Sequence, residues 1–213
     1  MENNKKKSLI PKAALIKAWL IWETFPQTCY NYERMMGQVV AHMFSAIIGF
    51  LYKDDPSKRK EVMKREIEFF NVHIEFGSCI LGMAVALEEQ KAMGENIPGE
   101  FITNLKTSLM GPLAGIGDTL FWTLLPTIMG SIAGHMALEG NPIGVILWLI
   151  VNLIFICIRT QLMWIGYREG TKLITKVGSK LARITDAASV LGLTVVGLSL
   201  IHISEPTRLQ LIS

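Results

Sequence analysis

The residues best suited to bind a polar solute stand in a short run that follows an aromatic pair. Asn71 and Glu75 are four residues apart, so a helix would place them on one face, with His73 on another. An amide and a carboxylate together offer the donors and acceptors that the hydroxyl groups of a sugar need. His73 has a second interpretation, as an ordinary core or interfacial histidine. No further His, Cys or carboxylate at ligand spacing supports a metal site here.

A second polar run, Glu88, Glu89, Gln90 and Lys91, comes directly after the apolar segment that ends at Leu87. A carboxylate so close to a segment of membrane character is costly unless it has a partner or a function. All four residues are therefore candidates for contact with a substrate. A solvated helix end is the competing interpretation.

The stretch from Leu109 to Pro126 is hydrophobic enough for a bilayer but contains Asp118 and several helix-disrupting residues. The disrupting residues are Gly111, Pro112, Gly115 and Gly117. Non-helical backbone at membrane depth occurs only where it is buried in protein or lines a polar cavity, and an ionisable residue there indicates function. The pattern predicts a broken helix whose backbone and Asp118 face a polar solute. Asp118 also fits the N-cap of a helix that starts at this point.

Glu33 lies in a polar stretch with Asn31 and Arg34, just before an apolar helix predicted over Met35–Tyr52. The three side chains fit the lining of a polar path. They fit equally well a helix N-terminal turn in which Glu33 lies near the positive end of the helix dipole. Both interpretations stay open.

Several function classes are excluded by the composition. A net charge of +3 without a basic, aromatic-rich patch argues against nucleic acid. Residues 115–118 lack the Lys and Ser/Thr of a phosphate loop. No nucleophile and base pair up, so we expect no catalytic residue and no cofactor in this chain. The three cysteines show neither metal spacing nor a disulfide framework.

The elements that position these residues are predicted to be membrane helices. Residues 142–158 and 187–201 carry no charged side chain, and the first stretch is about the minimum length of a spanning helix. An N-terminal helix between Lys12 and Trp22 is amphipathic and suits a membrane surface or a partner. A helix that packs as in a soluble protein is the alternative. Its apolar residues are Leu15, Ile16, Trp19, Leu20 and Trp22. The fold class is thus an all-α membrane protein with transmembrane helices, broken or re-entrant hairpins and an N-terminal amphipathic surface helix.

The chain divides into three predicted regions. Residues 1–34 form the surface segment, residues 35–200 the membrane-embedded region, and residues 201–213 a tail whose abrupt change of character suggests a non-native continuation. The positive-inside rule places the basic clusters on the cytoplasmic side, which spans and re-entrant hairpins satisfy equally. The basic clusters are 5–17, 53–65 and 168–183.

Six motifs appear in order between residues 14 and 200. They are Asn31–Met35, Phe69–Asn71 with His73, Ala86–Gln90, Met110–Asp118, Phe121–Trp122, and Gly166–Tyr167 with Gly170. Together they resemble the IID component of the mannose/fructose/sorbose class of the bacterial sugar phosphotransferase system. The run Gly-Pro-Leu-Ala-Gly-Ile-Gly-Asp is the most specific of them. Glu75 departs from the family pattern and is a weaker candidate than Asn71.

The resemblance implies a multi-pass subunit of the bacterial inner (cytoplasmic) membrane. Such a subunit pairs with a IIC subunit, in a higher oligomer of the IIC–IID pair, to form the path for a hexose. IIA and IIB proteins relay the phosphoryl group from phosphoenolpyruvate to the incoming sugar, and the IID chain is not itself phosphorylated. We expect Asn71, Glu88, Glu89, Gln90 and Asp118 near the sugar path, with Glu33, His73 and Lys91 as second choices.

Two other functions remain compatible with the residues. An ion-coupled secondary transporter would move its solute without a partner or a phosphoryl donor. A non-transporting membrane scaffold would lose only stability when Glu88 or Asp118 is neutralised.

Overall fold

The chain is helical through most of the part that the computed structural model describes, residues 8–176, with side chains described as far as Gly170. The α-helices are α1 (Lys12–Thr24), α2 (Gly37–Ser45), α3 (Ile48–Leu51), α4 (Pro56–Glu66), α5 (Ile74–Ala92), α6 (Gly99–Gly117), α7 (Leu125–Leu138) and α8 (Ile143–Lys176), and a π-helix (Asp118–Leu124) joins α6 to α7. The predicted all-α class is confirmed. The predicted apolar segment at 187–201 and the tail at 201–213 lie outside the described residues.

Three aromatic side chains form the centre of the N-terminal half. Trp22, Phe44 and Phe70 are almost completely buried, and the rings of Trp22 and Phe70 meet edge to face with centroids 6.2 Å apart. Helix α4 begins sharply because the Asp55 carboxylate accepts a hydrogen bond from the Lys58 N–H at 2.9 Å and Pro56 follows Asp55 directly. The charged helix thereby packs beside this core.

The predicted apolar residues of helix α1 lie partly in the core and partly at the surface. Leu15 and Trp22 are buried against the core, and the Trp22 indole donates a hydrogen bond to Ser78 of α5 at 2.9 Å. Ile16 and Leu20 point outward and are almost half exposed. Helix α1 therefore packs against the core, and its exposed apolar face is narrower than the sequence predicted.

The predicted break at Gly111–Asp118 is wrong, because the chain stays helical from residue 99 to residue 138. Pro112 lies inside α6, where it removes a single hydrogen bond that the helix tolerates. The irregularity appears instead as the π-helix that begins at Asp118. Asp118 is also not an N-cap, since its φ of −62° and ψ of −40° continue the preceding helix.

Two helical stretches in the described part are long and apolar enough to cross a membrane. They are residues 99–138, with mean hydropathy 1.2, and residues 143–170, with mean hydropathy 2.3. The predicted turn at Asn141–Pro142 joins them, helped by Gly140 with a positive φ of 72°. Large apolar side chains on α7 and α8 stay exposed, as expected of a surface that faces lipid or another subunit. Re-entrant hairpins stay a prediction.

Helices α5 and α8 touch through their backbones. A Cβ at Gly82 would lie 2.8 Å from the Tyr167 nitrogen, and one at Gly166 would lie 2.9 Å from the Cys79 carbonyl carbon. One turn further on, a Cβ at Gly170 would lie 2.9 Å from the Met83 Cα. Glycines four residues apart allow such close helix contact in membranes. This crossing fixes the position of α8, and of the α7–α8 pair, relative to α5.

We predict that Gly166→Ala destabilises the protein by about 1–3 kcal/mol, because a methyl group must enter space that the α5 backbone fills. The matched control is Gly134→Ala on α7, where no atom lies within 4 Å of the added Cβ and where Ala favours the helix by roughly 0.5–1 kcal/mol. Thermal unfolding of the detergent-purified variants measures both effects. Equal melting temperatures for the two variants would contradict the crossing.

Candidate functional site

A small cavity of about 150 Å³ lies where the N-terminal loop, the start of α5 and the π-helix meet. Three of the sequence-predicted site residues, Asn71, His73 and Asp118, line it. Its other lining residues are Gln27, Tyr30, Met36, Val72, Ile74, Ala114 and Trp122. Polar groups from three separate parts of the chain thus converge on one space beside a candidate membrane span.

Asn71 is held by a tyrosine from the N-terminal loop. The Tyr30 hydroxyl donates a hydrogen bond to Asn71 Oδ1 at 2.9 Å. Burial, and to a smaller degree the charge of Asp118, raise the pKa of Tyr30, so its hydroxyl keeps the proton that it donates. With Oδ1 engaged, the side-chain NH₂ group of Asn71 is the part suited to donate to a solute.

His73 is packed on three sides. Its ring stacks on Phe121 with centroids 5.1 Å apart and meets Trp122 edge to face at 5.9 Å. Gly117 is pressed against the same ring, since a Cβ there would lie 2.9 Å from Nδ1. Nδ1 itself lies 2.6 Å from Glu75 Oε2. The π-helix and the end of α6 therefore fix the orientation of the histidine at the cavity.

Asp118 occupies the first position of the π-helix and is exposed. The π-helix widens the backbone locally, and the Thr123 hydroxyl donates to the Asp118 carbonyl oxygen at 3.2 Å, five residues earlier. Such π-helical turns inside α-helices are frequent at functional sites. Asp118 therefore lies on a π-helix within a continuous helix, and not at the helix break that the glycine-rich sequence predicted.

Glu88 belongs to a separate, buried ion-pair network at the junction of α4, α5 and α6. Arg65 donates to Glu88 Oε1 from Nε at 3.0 Å and from a terminal nitrogen at 2.5 Å. Lys106 of α6 donates to Glu66 at 2.7 Å. Burial and the neighbouring Glu66 carboxylate raise the pKa of Glu88, against the opposing effect of Arg65. The network joins three helices and lies outside the residues that line the cavity.

Glu89 connects the residues before α1 to the crossing of α5 and α8. Its Oε1 accepts hydrogen bonds from the Ser8 hydroxyl at 2.7 Å and from the Leu9 and Ile10 N–H groups at 2.8 and 3.1 Å. Its other oxygen accepts a hydrogen bond from the Tyr167 hydroxyl of α8. A single buried carboxylate thereby connects the segment before α1 with α5 and α8.

The remaining three predicted site residues lie apart from the cavity lining. Lys91 Nζ is 3.8 Å from Glu61 at the edge of the ion-pair network, and Gln90 is half-buried on the same turn of α5. Glu33 is exposed in the N-terminal loop. The structure does not group these residues with Asn71, His73 and Asp118.

Sequence reasoning missed several contributors. Tyr30, Gln27 and Trp122 reach the cavity from distant parts of the chain, and nothing in their local sequence indicates that meeting. Lys106 had a usable signal, because it is the one cation of α6 and shares a helix face with the apolar residues Ile102, Leu109 and Met110. A lone charge in such a position requires a buried partner.

The sequence profile of the PTS system mannose/fructose/sorbose family IID component matches residues 9–209 of this chain. The chain belongs to this family. Among curated IID components, it is 36% identical over 175 residues to the mannose-specific EIID component of Escherichia coli K12, and 34% identical over 203 residues to the sorbose-specific EIID component of Lacticaseibacillus casei. The matched parts cover 80% and 92% of this chain. The expected family is therefore confirmed.

This IID-family chain spans 61% of the length of the E. coli component and 69% of the L. casei component. Its fold is similar to a chain in the cryo-electron microscopy structure of the mannose transporter ManYZ in complex with microcin E492, with a TM-score of 0.81 and 32% identity. That match covers 90% of this chain and 70% of the other. The family and the fold together identify a membrane protein.

We predict that Lys106→Met destabilises the protein by about 3 kcal/mol, because buried Glu66 loses its partner at 2.7 Å and keeps only Arg65, which is 3.8 Å away and already bound to Glu88. Lys58→Met is the matched control, since Lys58 and Asp55 form an exposed pair 3.7 Å apart that contributes about 0–1 kcal/mol. Adding Glu66→Gln to Lys106→Met removes the under-compensated charge and should recover part of the loss. Melting temperatures test all three variants, and equal effects of Lys106→Met and Lys58→Met would contradict the network.

Proposed function

We propose that this chain is the IID subunit of a sugar permease of the phosphotransferase system in the bacterial cytoplasmic membrane. It pairs with a IIC subunit, and the pair, in a higher oligomer, forms the path for a hexose. IIA and IIB proteins supply the phosphoryl group. The observation that carries the proposal is the likeness of almost the whole chain to a chain in a mannose transporter structure, at a TM-score of 0.81.

Within this permease, the cavity around Asn71, His73 and Asp118 is our proposed contribution to the sugar path. An amide, an imidazole and a carboxylate supply both donors and acceptors, and Trp122 provides an aromatic surface beside them. At about 150 Å³ the cavity is smaller than the roughly 300–1,000 Å³ typical of sites for drug-sized ligands. That size suits one edge of a monosaccharide, with the rest of the ring held by the partner subunit.

The other predicted site residues receive a structural role in this proposal. Glu88 and Glu89 each have close partners that join helices, so their loss is expected to affect assembly before sugar affinity. The phosphoryl transfer itself is assigned to the IIB protein. This chain contributes the position and the hydrogen bonds of the sugar, which is how a polar solute is oriented without a covalent step.

We predict that Asn71→Ala raises the KM for sugar uptake by about 3–10-fold, the loss expected for one hydrogen bond of about 0.5–1.5 kcal/mol. Asp118→Asn is expected to raise the KM in the same direction. Asn104→Ala on the exposed side of α6 is the matched control and should leave uptake unchanged. The measurement is uptake of [¹⁴C]mannose, with fructose and sorbose in parallel, in cells that contain the full chain with its IIC and IIB partners.

Three outcomes would contradict the proposal. Unchanged KM values for Asn71→Ala and Asp118→Asn would remove the cavity from the sugar path. Uptake by this chain without IIC or a phosphoryl donor would favour an ion-coupled transporter. Loss of assembly with no effect on transport by the assembled complex would favour a scaffold.

A further inference from the structure

Charged groups from three helices meet around Glu75, which is next to His73. Glu75, in the first turn of α5, has Oε2 2.6 Å from His73 Nδ1. Arg159 of α8 lies 2.7 Å from Glu23 of α1 and contributes a favourable charge to Glu75. Glu75 stands outside the cavity lining, although the sequence made it a weaker candidate for contact with a sugar.

The two nitrogens of His73 have different surroundings. Nδ1 faces the Glu75 carboxylate, although the N–H direction is not aligned with the oxygen in this structure. Nε2 is buried and has no hydrogen-bond partner among the described residues. The side chain is only 1% exposed and lines the cavity. Glu75 lies on the Nδ1 side, and Nε2 is the ring nitrogen that has neither a hydrogen-bond partner nor this carboxylate beside it.

The Glu75 carboxylate is suited to accept a hydrogen bond from the ring. Burial alone would raise the pKa of Glu75, but its contact with His73, with a further contribution from Arg159, lowers it. Glu23, the other carboxylate nearby, is engaged by Arg159 and by the Trp19 indole at 3.1 Å. Glu75 is therefore the carboxylate that lies beside the histidine, 2.6 Å from Nδ1.

We propose that Glu75 is a positioning residue of the sugar site, acting through His73. Its carboxylate accepts the Nδ1–H of the imidazole, which fixes the ring and leaves Nε2 as a hydrogen-bond acceptor for a sugar hydroxyl group. This inference rests on the proposed function of the cavity.

The physical basis is the tautomer of the imidazole. In neutral histidine one nitrogen donates and the other accepts, and the partner of one nitrogen decides the role of the other. Asn71 offers donors to the cavity once Tyr30 occupies its Oδ1. An acceptor at Nε2 complements those donors, so that neighbouring sugar hydroxyl groups find both kinds of partner.

The test is a double-mutant cycle on [¹⁴C]mannose uptake by the complete complex. Glu75→Ala should raise the KM about 10-fold while kcat stays within about twofold, because the ring loses its fixed tautomer but the transport step is untouched. Glu75→Gln keeps an acceptor oxygen and should hold the KM within about threefold of the wild type. In a His73→Ala background, Glu75→Ala should add nothing further to the KM, since its effect passes through the imidazole.

Glu23→Gln is the structural control, because it removes the direct partner of Arg159 while leaving His73 and Glu75 in place. It should lower the melting temperature and leave the KM unchanged. If Glu75→Ala reduces the amount of assembled complex, Glu75→Met takes its place in the cycle, since it keeps the side-chain volume without an acceptor.

An unchanged KM in Glu75→Ala or Glu75→Met, an equal rise with Glu75→Gln, or the same added effect without His73 would each overturn the positioning role. The Asn71→Ala variant distinguishes failure of the positioning role from failure of the proposed sugar path. If Asn71→Ala raises the KM and Glu75→Ala does not, only the positioning role is lost. If neither changes the KM, the proposed sugar path itself fails.

Discussion

The backbone contact between α5 and α8 is the constraint on which the rest of the structure depends. Gly82, Gly166 and Gly170 leave no room for a side chain at the crossing. Because the helices touch there, α8 brings Arg159 to Glu23 of α1 and Tyr167 to Glu89 of α5. The long α7–α8 pair is thereby attached to a compact N-terminal core.

Buried charge adds a second constraint. Arg65, Glu66, Glu88 and Lys106 connect α4, α5 and α6, and removing one member takes the nearest partner from another. The first half of α6 is thus fixed by the ion pair of Lys106, whereas its end is fixed by Gly117 against His73. Directly after the second attachment, Asp118 and the π-helix reach the cavity. The polar residues of this chain therefore fall into those that hold helices together and those that face the cavity.

Much of the fold and part of the site could be predicted from the sequence. Helical class, the turn at Asn141–Pro142 and the family follow from local patterns and motifs. Asn71, His73 and Asp118 were singled out as polar residues in an apolar context, and the structure brings them to one cavity. Their contact with a sugar stays a prediction. The sequence around Pro112 could not show that the helix continues through it. A helix tolerates the one hydrogen bond that a proline removes, and the irregular backbone is found further along, in the π-helix.

Local sequence patterns could not reveal roles that depend on partners far away in the chain. Glu88 and Glu89 looked like a substrate-facing pair, since a carboxylate near an apolar segment needs a partner and the partners were not adjacent in sequence. Arg65 lies 23 residues from Glu88, and Ser8 lies 81 residues from Glu89. Glu75 was a weaker candidate than Asn71 because it departs from the family pattern, and its proposed role comes entirely from the orientation of His73.

A structure of the IIC–IID complex with mannose bound would locate the sugar path. We expect the sugar within hydrogen-bond distance, about 3.2 Å, of the Asn71 amide nitrogen and of His73 Nε2. A sugar bound where neither Asn71 nor His73 nor Asp118 contacts it would contradict the proposed path.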